Sequence, residues 1–446
     1  RSVQSTLAAL RLQTAQAARA AGTLSPIPTL TPFPSLATTI PAVPQVPLSA
    51  LIGGIFHYTT RPGDTSEALA RRFGVEIETI PDPGRHSPQA MLQPGIVLNI
   101  PNRLGPVETL PLLLPDSEVI YSPAAKGFST VEYIQSAAGY LSTYSEDVDG
   151  ETLTGAQIVE RVALETSIDP RLLLAFLQYR SGWVTGQPAN PRQLDYPIGF
   201  YAGGYQGLYK ELILTARQLT IGYYGWRSGS LVEMEFVGGD RLRIDPLENP
   251  GTVALQYLFS KFYHLAEWKE ELYQPGRFIV TYEMMFSDPW IRAASVGPLL
   301  PFDMVQPPLE LPFQPGETWT LTGGPHPAWG VGSPWGGIDL APADVEKGCT
   351  VTRYWATAAA GGLVVRSEHG VVAIDLDGDG FEGTGWVLIY LHLADSERIP
   401  AGSKVQPDQP IGHPSCEGGF STGTHVHISR KLNGEWLSAA GPFPFV

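Results

Sequence analysis

Ser421-Thr422-Gly423-Thr424-His425-Val426-His427, read with Gly337-Ile338-Asp339 upstream, carries the chemistry of this 446-residue chain. On a β-strand, residues two apart point to the same face. His425 and His427 therefore present two imidazoles side by side, and Asp339 from another strand supplies a carboxylate for a candidate zinc site. Around these residues, segment 312–446 consists of short alternating stretches and many Gly turns, with little helical periodicity. That pattern predicts an antiparallel β domain, with strands over 361–366, 370–376, 385–391 and 424–430.

Length alone asks for two to four domains. Hydrophobic residues make up 43% of the chain, enough for real cores, whereas 48 Gly and 41 Pro call for many turns and linkers. A net charge of −15 argues against a protein that tracks nucleic-acid phosphates. No apolar run approaches the roughly 18 residues that span a bilayer. A chain that starts at Arg1 rather than Met reads as a processed product or an excised segment, in which a removed signal peptide or anchor would not be visible. Cys349 and Cys416 permit one disulfide or two buried thiols. Both lie in the C-terminal segment of a chain that looks extracytoplasmic, so a disulfide is expected.

The remaining chain divides by composition. Residues 1–22 are Ala-rich with Leu7, Leu10 and Leu12, an expected helix. Residues 23–52 carry Pro26, Pro28, Pro32, Pro34, Pro41, Pro44 and Pro47, an extended semi-rigid linker. Residues 53–102 read as strand, helix and strand, with Asp64 as the expected N-cap, Glu67 reaching back, and Gly74 ending the helix. This unit resembles a LysM domain, from Tyr58-Thr59 and Pro62-Gly63-Asp64-Thr65 through Arg72-Phe73-Gly74-Val75 to Pro94-Gly95 and Ile100-Pro101. The resemblance implies a small βααβ fold that binds N-acetylglucosamine-containing glycans.

Residues 117–295 read as mostly helical, with helices over Ala156–Thr166, Pro170–Tyr179, Leu208–Tyr224 and Gly251–Glu271 and a hairpin around Gly238-Gly239. The stretch Ile168-Asp169-Pro170-Arg171 to Ser181-Gly182-Trp183 resembles the front of a lytic transglycosylase, a lysozyme-like fold. That family carries its acid in Glu-Ser-Gly, and this chain has Arg180-Ser181-Gly182. A guanidinium stays protonated and cannot protonate a glycosidic oxygen. The middle region is therefore expected to be catalytically silent, with Glu165 the nearest alternative acid.

From about Leu321 to Trp436 the chain resembles the lysostaphin/LytM family of zinc endopeptidases. The resemblance runs through Gly337-Ile338-Asp339, Tyr390-Leu391-His392-Leu393, Ile411-Gly412, Gly423-Thr424-His425-Val426-His427 and Asn433-Gly434. It implies Asp339 and His427 as zinc ligands, with His392 and His425 as the pair that deprotonates water and stabilises the oxyanion. The family's first ligand opens a His-x-Gly-x-Asp pentad, but here that position is Trp335, whose indole nitrogen only donates. His326, nine positions upstream, is the nearest replacement, and the Gly-rich stretch 330–337 would let it swing into the vacancy. Three readings stay open: His326 restores a zinc hydrolase; a weak or different metal binds without efficient hydrolysis; or the domain is a pseudoenzyme that holds wall peptide.

Two weaker motifs need weighing. Asp375, Asp377 and Asp379 are spaced as in a calcium loop, yet the twelfth position is Trp386 rather than Glu, so a solvated hairpin tip is the favoured reading and calcium the second. Gly419-Phe420-Ser421-Thr422-Gly423 fits a nucleophile elbow, but a strand rather than a helix is expected after it. The whole reads as a multidomain α+β protein: small βααβ LysM, mostly α lysozyme-like middle domain, antiparallel β-rich C-terminal LytM-type domain at 312–446. Its expected function is a secreted or envelope-associated peptidoglycan endopeptidase using one zinc ion. The alternative is a non-catalytic wall-binding or envelope scaffold. Expected partners are peptidoglycan glycan and peptide, no nucleic acid, and an envelope protein met through the N-terminal helix and Pro-rich segment.

Overall fold

The computed structural model describes residues 54–81, 87–104, 107–343, 348–441, 443 and 445. The helix expected at 1–22, the Pro-rich linker, and the partner contact assigned to them lie outside these residues. Among the described residues no helix is long and apolar enough to cross a membrane.

The first unit pairs β1 (Ile55–Thr59) antiparallel with β2 (Val97–Pro101), and α1 (Ser66–Phe73) packs against them. Alternation in the strands sends Phe56, Tyr58, Leu98 and Ile100 inward onto Leu69 and Phe73. Gly74 ends the helix in the left-handed region, as expected. The cap at the other end differs from expectation. Thr65, not Asp64, accepts from the Ala68 N–H, because Asp64 is buried in an ion pair with Arg72 at 2.9 Å and accepts from the Tyr58 hydroxyl at 2.7 Å. The second helix of the expected βααβ unit is, among the described residues, a single 3-10 turn at Ile77–Thr79.

The helical region holds α2 (Thr130–Ala137), the hairpin β3 (Ser145–Val148) and β4 (Glu151–Thr154), α3 (Gly155–Thr166) and α4 (Pro170–Ser181). It continues through α5 (Arg192–Asp195), α6 (Leu208–Arg227), the hairpin β5 (Glu233–Glu235) and β6 (Arg241–Arg243), then α7 (Pro250–Ser260), α8 (Leu265–Tyr273), α9 (Phe278–Phe286) and α10 (Pro289–Val296). Local sequence explains the boundaries. Thr154 and Gln157 form a capping box for α3, and Asp169 caps α4 with Pro170 in its first turn. The single helix expected over 251–271 is two helices. His264 and Glu267 form a second capping box after Ser260, so the chain restarts as α8 rather than running on.

The C-terminal region contributes β7 (Trp319–His326), β8 (Gly337–Pro342), β9 (Ala356–Thr357), β10 (Gly362–Glu368), β11 (Val371–Asp375), β12 (Trp386–Leu391), β13 (Lys404–Val405), β14 (Pro410–Gly412), β15 (Val426–Leu432) and β16 (Glu435–Trp436). An eight-stranded antiparallel sheet runs β13-β10-β11-β12-β15-β8-β7, with β16 on β15. Its central strands are buried on both faces. Val372, Ile374, Leu388, Tyr390, Val426 and Ile428 fill the core of the C-terminal region itself. The alternate residues Val371, Ala373, Val387, Ile389 and Leu391 join the core of the helical region. Each such side chain contributes about 1.5–3 kcal/mol by burial, so the helices are an integral cover for that face. Polar bonds pin the junction: Arg227 Nε to Glu435 Oε1 at 2.8 Å, Ser167 Oγ to the Gly434 carbonyl at 2.6 Å, and the Trp436 N–H to the Tyr224 hydroxyl at 2.9 Å.

Candidate metal centre

Register sets which face of the sheet carries the site. Directly opposite residues on antiparallel strands share a face. Leu391 opposes His427 and His427 opposes Asp339, so the two polar residues sit on the face that Leu391 turns toward the helices. His326 is the last residue of β7 and opposes Gly337 across two register shifts. Such bulges re-aim side chains, and these bring His326 over the same face. Two glycines make the room. A Cβ at Gly323 would lie 2.6 Å from Asp339 Oδ2, and one at Gly337 would lie 2.2 Å from His427 Cε1.

Three donor atoms converge there. His326 Nε2 is 2.9 Å from His427 Nδ1, and Asp339 Oδ1 is 3.2 Å from each. A tetrahedral zinc with bonds of about 2.0–2.2 Å spaces its donors about 3.3 Å apart, so the triangle matches one face of that tetrahedron. The chemistry of the donor set agrees, since two imidazoles and one carboxylate are ordinary zinc ligands. His427 Nε2 lies 2.9 Å from the Ala328 carbonyl, which only accepts, so Nε2 carries the proton and Nδ1 offers its lone pair to the site. The same logic applies to the neighbouring pair. His392 Nδ1 donates to the Glu417 carbonyl at 2.8 Å and His425 Nδ1 to the Gly423 carbonyl at 2.7 Å. Both leave Nε2 bare. The His392 and His425 rings stand 4.5 Å apart, and His425 Nε2 is 3.5 Å from Asp339 Oδ1.

Electrostatics follow from burial and neighbours. Burial raises the Asp339 carboxyl, but the imidazoles of His326 and His427 at 3.2 Å and of His425 at 3.5 Å outweigh it and hold the group well below the usual carboxylate range. Burial, reinforced by His425, pushes His392 down to about 4. Its imidazole is therefore neutral at physiological pH.

The residues expected at the site are thus brought together: His326, Asp339 and His427 as one cluster, His392 and His425 beside it. Trp335 is 66% exposed and does not line the cleft. There is no vacancy at 335 for His326 to swing into. His326 is placed by the end of β7, while Gly336 packs against the Leu437 carbonyl and Gly337 makes room for His427.

The cleft, of about 1050 Å³, has a second wall. Asp149, Arg161, Glu165 and Tyr209 of the helical region face His326, Asp339, His392, His425 and His427. Arg161 bonds Glu165 at 2.8 Å and Asp149 at 2.5 Å, and Tyr209 donates to Glu165 at 2.8 Å. Sequence reading missed Arg161 and Tyr209 as cleft residues, because no local pattern connects them with strands far along the chain. Glu165, named as the alternative acid of the middle region, is instead a member of this wall.

The other expected features are also placed. Cys349 and Cys416 form a disulfide with Cα atoms 5.5 Å apart. Asp375, Asp377 and Asp379 lie together at the β11–β12 turn. Asp375 accepts from the N–H groups of Asp377, Gly378 and Gly380, and Asp379 pairs with Lys126 at 2.6 Å. Burial and the neighbouring Asp377 push the Asp375 carboxyl up to about 6 despite those N–H groups. Glu382, adjacent in sequence, turns away to a buried pairing with Arg366 and Lys431. Ser421 donates to the Gly423 carbonyl, and strand β15 rather than a helix follows the Gly-x-Ser-x-Gly stretch.

Comparison with known proteins fits this layout. Residues 112–300, the helical region, match the family model "LasA, N-terminal domain". Protease LasA of Pseudomonas aeruginosa is 26% identical over 361 residues, covering 76% of this chain and 78% of that protein. Beta-lytic metalloendopeptidase of Lysobacter enzymogenes is 30% identical over 144 residues, covering 30% of this chain and 75% of the relative. Among solved structures, the M23 metalloprotease pseudoalterin from the deep sea aligns with 26% identity over 32% of this chain and 80% of its own, at a TM-score of 0.27. The long match to Protease LasA and the high coverage of the beta-lytic enzyme place this chain in the LytM-type (M23) metallopeptidase family.

Proposed function

We propose that this protein is an extracytoplasmic zinc endopeptidase that cuts peptide cross-links of peptidoglycan. The observation that supports this reading most is the convergence of His326 Nε2, Asp339 Oδ1 and His427 Nδ1 within 3.2 Å of one another. His326, Asp339 and His427 would hold the zinc ion, which when bound supplies a Lewis acid and lowers the pKa of its water to about 7. The chain does the rest. His425 and His392, each with a bare Nε2 facing the cleft, take the proton of the attacking water and pass it to the leaving amine. Once protonated at Nε2, the pair can donate to the developing oxyanion. Low basicity suits His392 to this cycle, because it gives its proton up readily.

Residues 53–102 are proposed as a LysM glycan-binding unit that raises the local concentration of wall peptide. The Asp375–Asp379 loop is read as a hairpin tip whose carboxylates are met by backbone N–H groups and Lys126, rather than as a calcium site. The test of the main reading pairs metal analysis with digestion of purified sacculi. One zinc per chain and new peptide termini are expected. Binding to sacculi with no new termini, from a zinc-loaded sample, would instead favour the wall-binding scaffold.

A further inference from the structure

We propose that helix α6 positions the metal-site histidines through the loop 327–334, so that Ile221 and Thr220 are positioning residues for the centre. The proposal rests on the metal reading above and goes beyond it. Pairing of β7 with β8 stops at His326 and Gly337, so the intervening loop has no ladder to fix it. Loops of this kind are ordinarily the mobile parts of a structure.

This one is closed on itself. The Ala328 N–H donates to the Pro334 carbonyl at 2.9 Å, and Ser333 Oγ accepts from the Trp329 N–H at 3.1 Å while donating to the Gly330 carbonyl at 2.8 Å. Its inner side carries both imidazoles. His326 immediately precedes it, and the Ala328 carbonyl receives the His427 Nε2 proton. Its outer side rests on α6. A Cβ at Gly332, where φ is +103°, would lie 2.6 Å from Thr220 Oγ1, 2.9 Å from Ile221 Cγ1 and 3.0 Å from the Arg217 carbonyl. Ala328 is fully buried in the core that also holds Leu219 and Tyr223 of α6, and Trp329 packs against that core. The Trp329 ring is 6.4 Å from Trp436 and lies under the Arg366 guanidinium at 5.8 Å. One rigid loop therefore links α6 to two of the three donors.

Movement of α6 away from the loop, or of the loop away from α6, must shift His326 and the carbonyl that orients His427. Loss of outer-shell support commonly weakens metal binding about 10–100-fold. The experiment uses the full chain with Ile221→Ala, which removes the support, and Gly332→Ala, which wedges the contact. Zinc affinity is read by competition with a chromophoric chelator, and site geometry by the visible spectrum of the cobalt-loaded protein. Leu69→Ala, in the separate core of the first unit, is the stability control. Expected are zinc affinity down ~10–100-fold and an altered cobalt spectrum in both loop-contact variants, with Leu69→Ala lowering Tm but leaving both readouts at the parental value. Parental affinity and spectrum in Ile221→Ala and Gly332→Ala would overturn the proposal, as would an equal loss in Leu69→Ala. A parent chain that takes up no zinc overturns the metal reading itself, and this proposal with it.

Discussion

Arg180 and Trp335 each stand where a sequence resemblance asks for a different functional residue, and the structure treats the two positions differently. Arg180 is built in. Its Nε donates to the Ile198 carbonyl at 2.7 Å, its Nη1 to the Tyr263 hydroxyl at 2.5 Å, and its guanidinium stacks 4.5 Å over Phe262. The surroundings are fitted to a cation, so the acid expected there has no place left to occupy. Trp335 is exposed and makes no part of the cleft, and its backbone carbonyl accepts from the Ala439 N–H at 2.9 Å and the Ser438 hydroxyl at 3.4 Å. A donor atom absent at position 335 is present at position 326, where His326 Nε2 lies 2.9 Å from His427 Nδ1. A replaced motif residue therefore says little until it is known whether other side chains have closed around the replacement or converged elsewhere.

The sharpest way to break this comparison is His326→Ala. With two protein donors left, zinc affinity is expected to fall on the order of a thousandfold or more, read by chelator competition; retention of tight zinc would return the question to position 335. Next is Arg180→Glu, which restores the resemblance in the middle region. It leaves the Ile198 carbonyl and the Tyr263 hydroxyl without their donor and sets a carboxylate near the buried Glu211. A loss of about 2–4 kcal/mol in denaturant unfolding is expected, with no release of reducing sugar ends from sacculi. Smaller still is Trp335→His. As a surface substitution worth about ±0.5 kcal/mol, it should move zinc affinity by no more than ~2-fold, and a larger gain would show that 335 is the true ligand position. Last, calcium at about 1 mM should shift Tm by less than about 1 °C, since the Asp375 and Asp379 oxygens already have partners; a rise of several degrees would make the loop a calcium site.

Much of the fold was legible in local chemistry. The strands expected over 370–376 and 385–391 match β11 and β12, Asp169-Pro170 marked the start of α4, and Gly238-Gly239 marked the β5–β6 turn. The failures are equally local. Asp64 looked like a cap, but Arg72 and Tyr58 claim its carboxylate, and a tertiary ion pair outranks a cap that Thr65 supplies at once. Residues 251–271 carry helical apolar spacing throughout, and only the His264–Glu267 box divides them.

The sequence by itself determined the donors. Asp339 and His427 fall on strands whose period of two fixes which side chains share a face, His392 directly follows β12 and His425 directly precedes β15, and His326 stands nine positions before Trp335. Tertiary structure decided the arrangement. The bulged end of β7, the glycines beside Asp339 and His427, and the Ala328 carbonyl bring three atoms to tetrahedral spacing. It also decided that the sheet face carrying them is covered by helices, with Tyr209, Arg161 and Glu165 as the opposite wall of the cleft. No local pattern encodes that cover, because its cause is the burial of Val371, Val387, Ile389 and Leu391 in the core of the helical region.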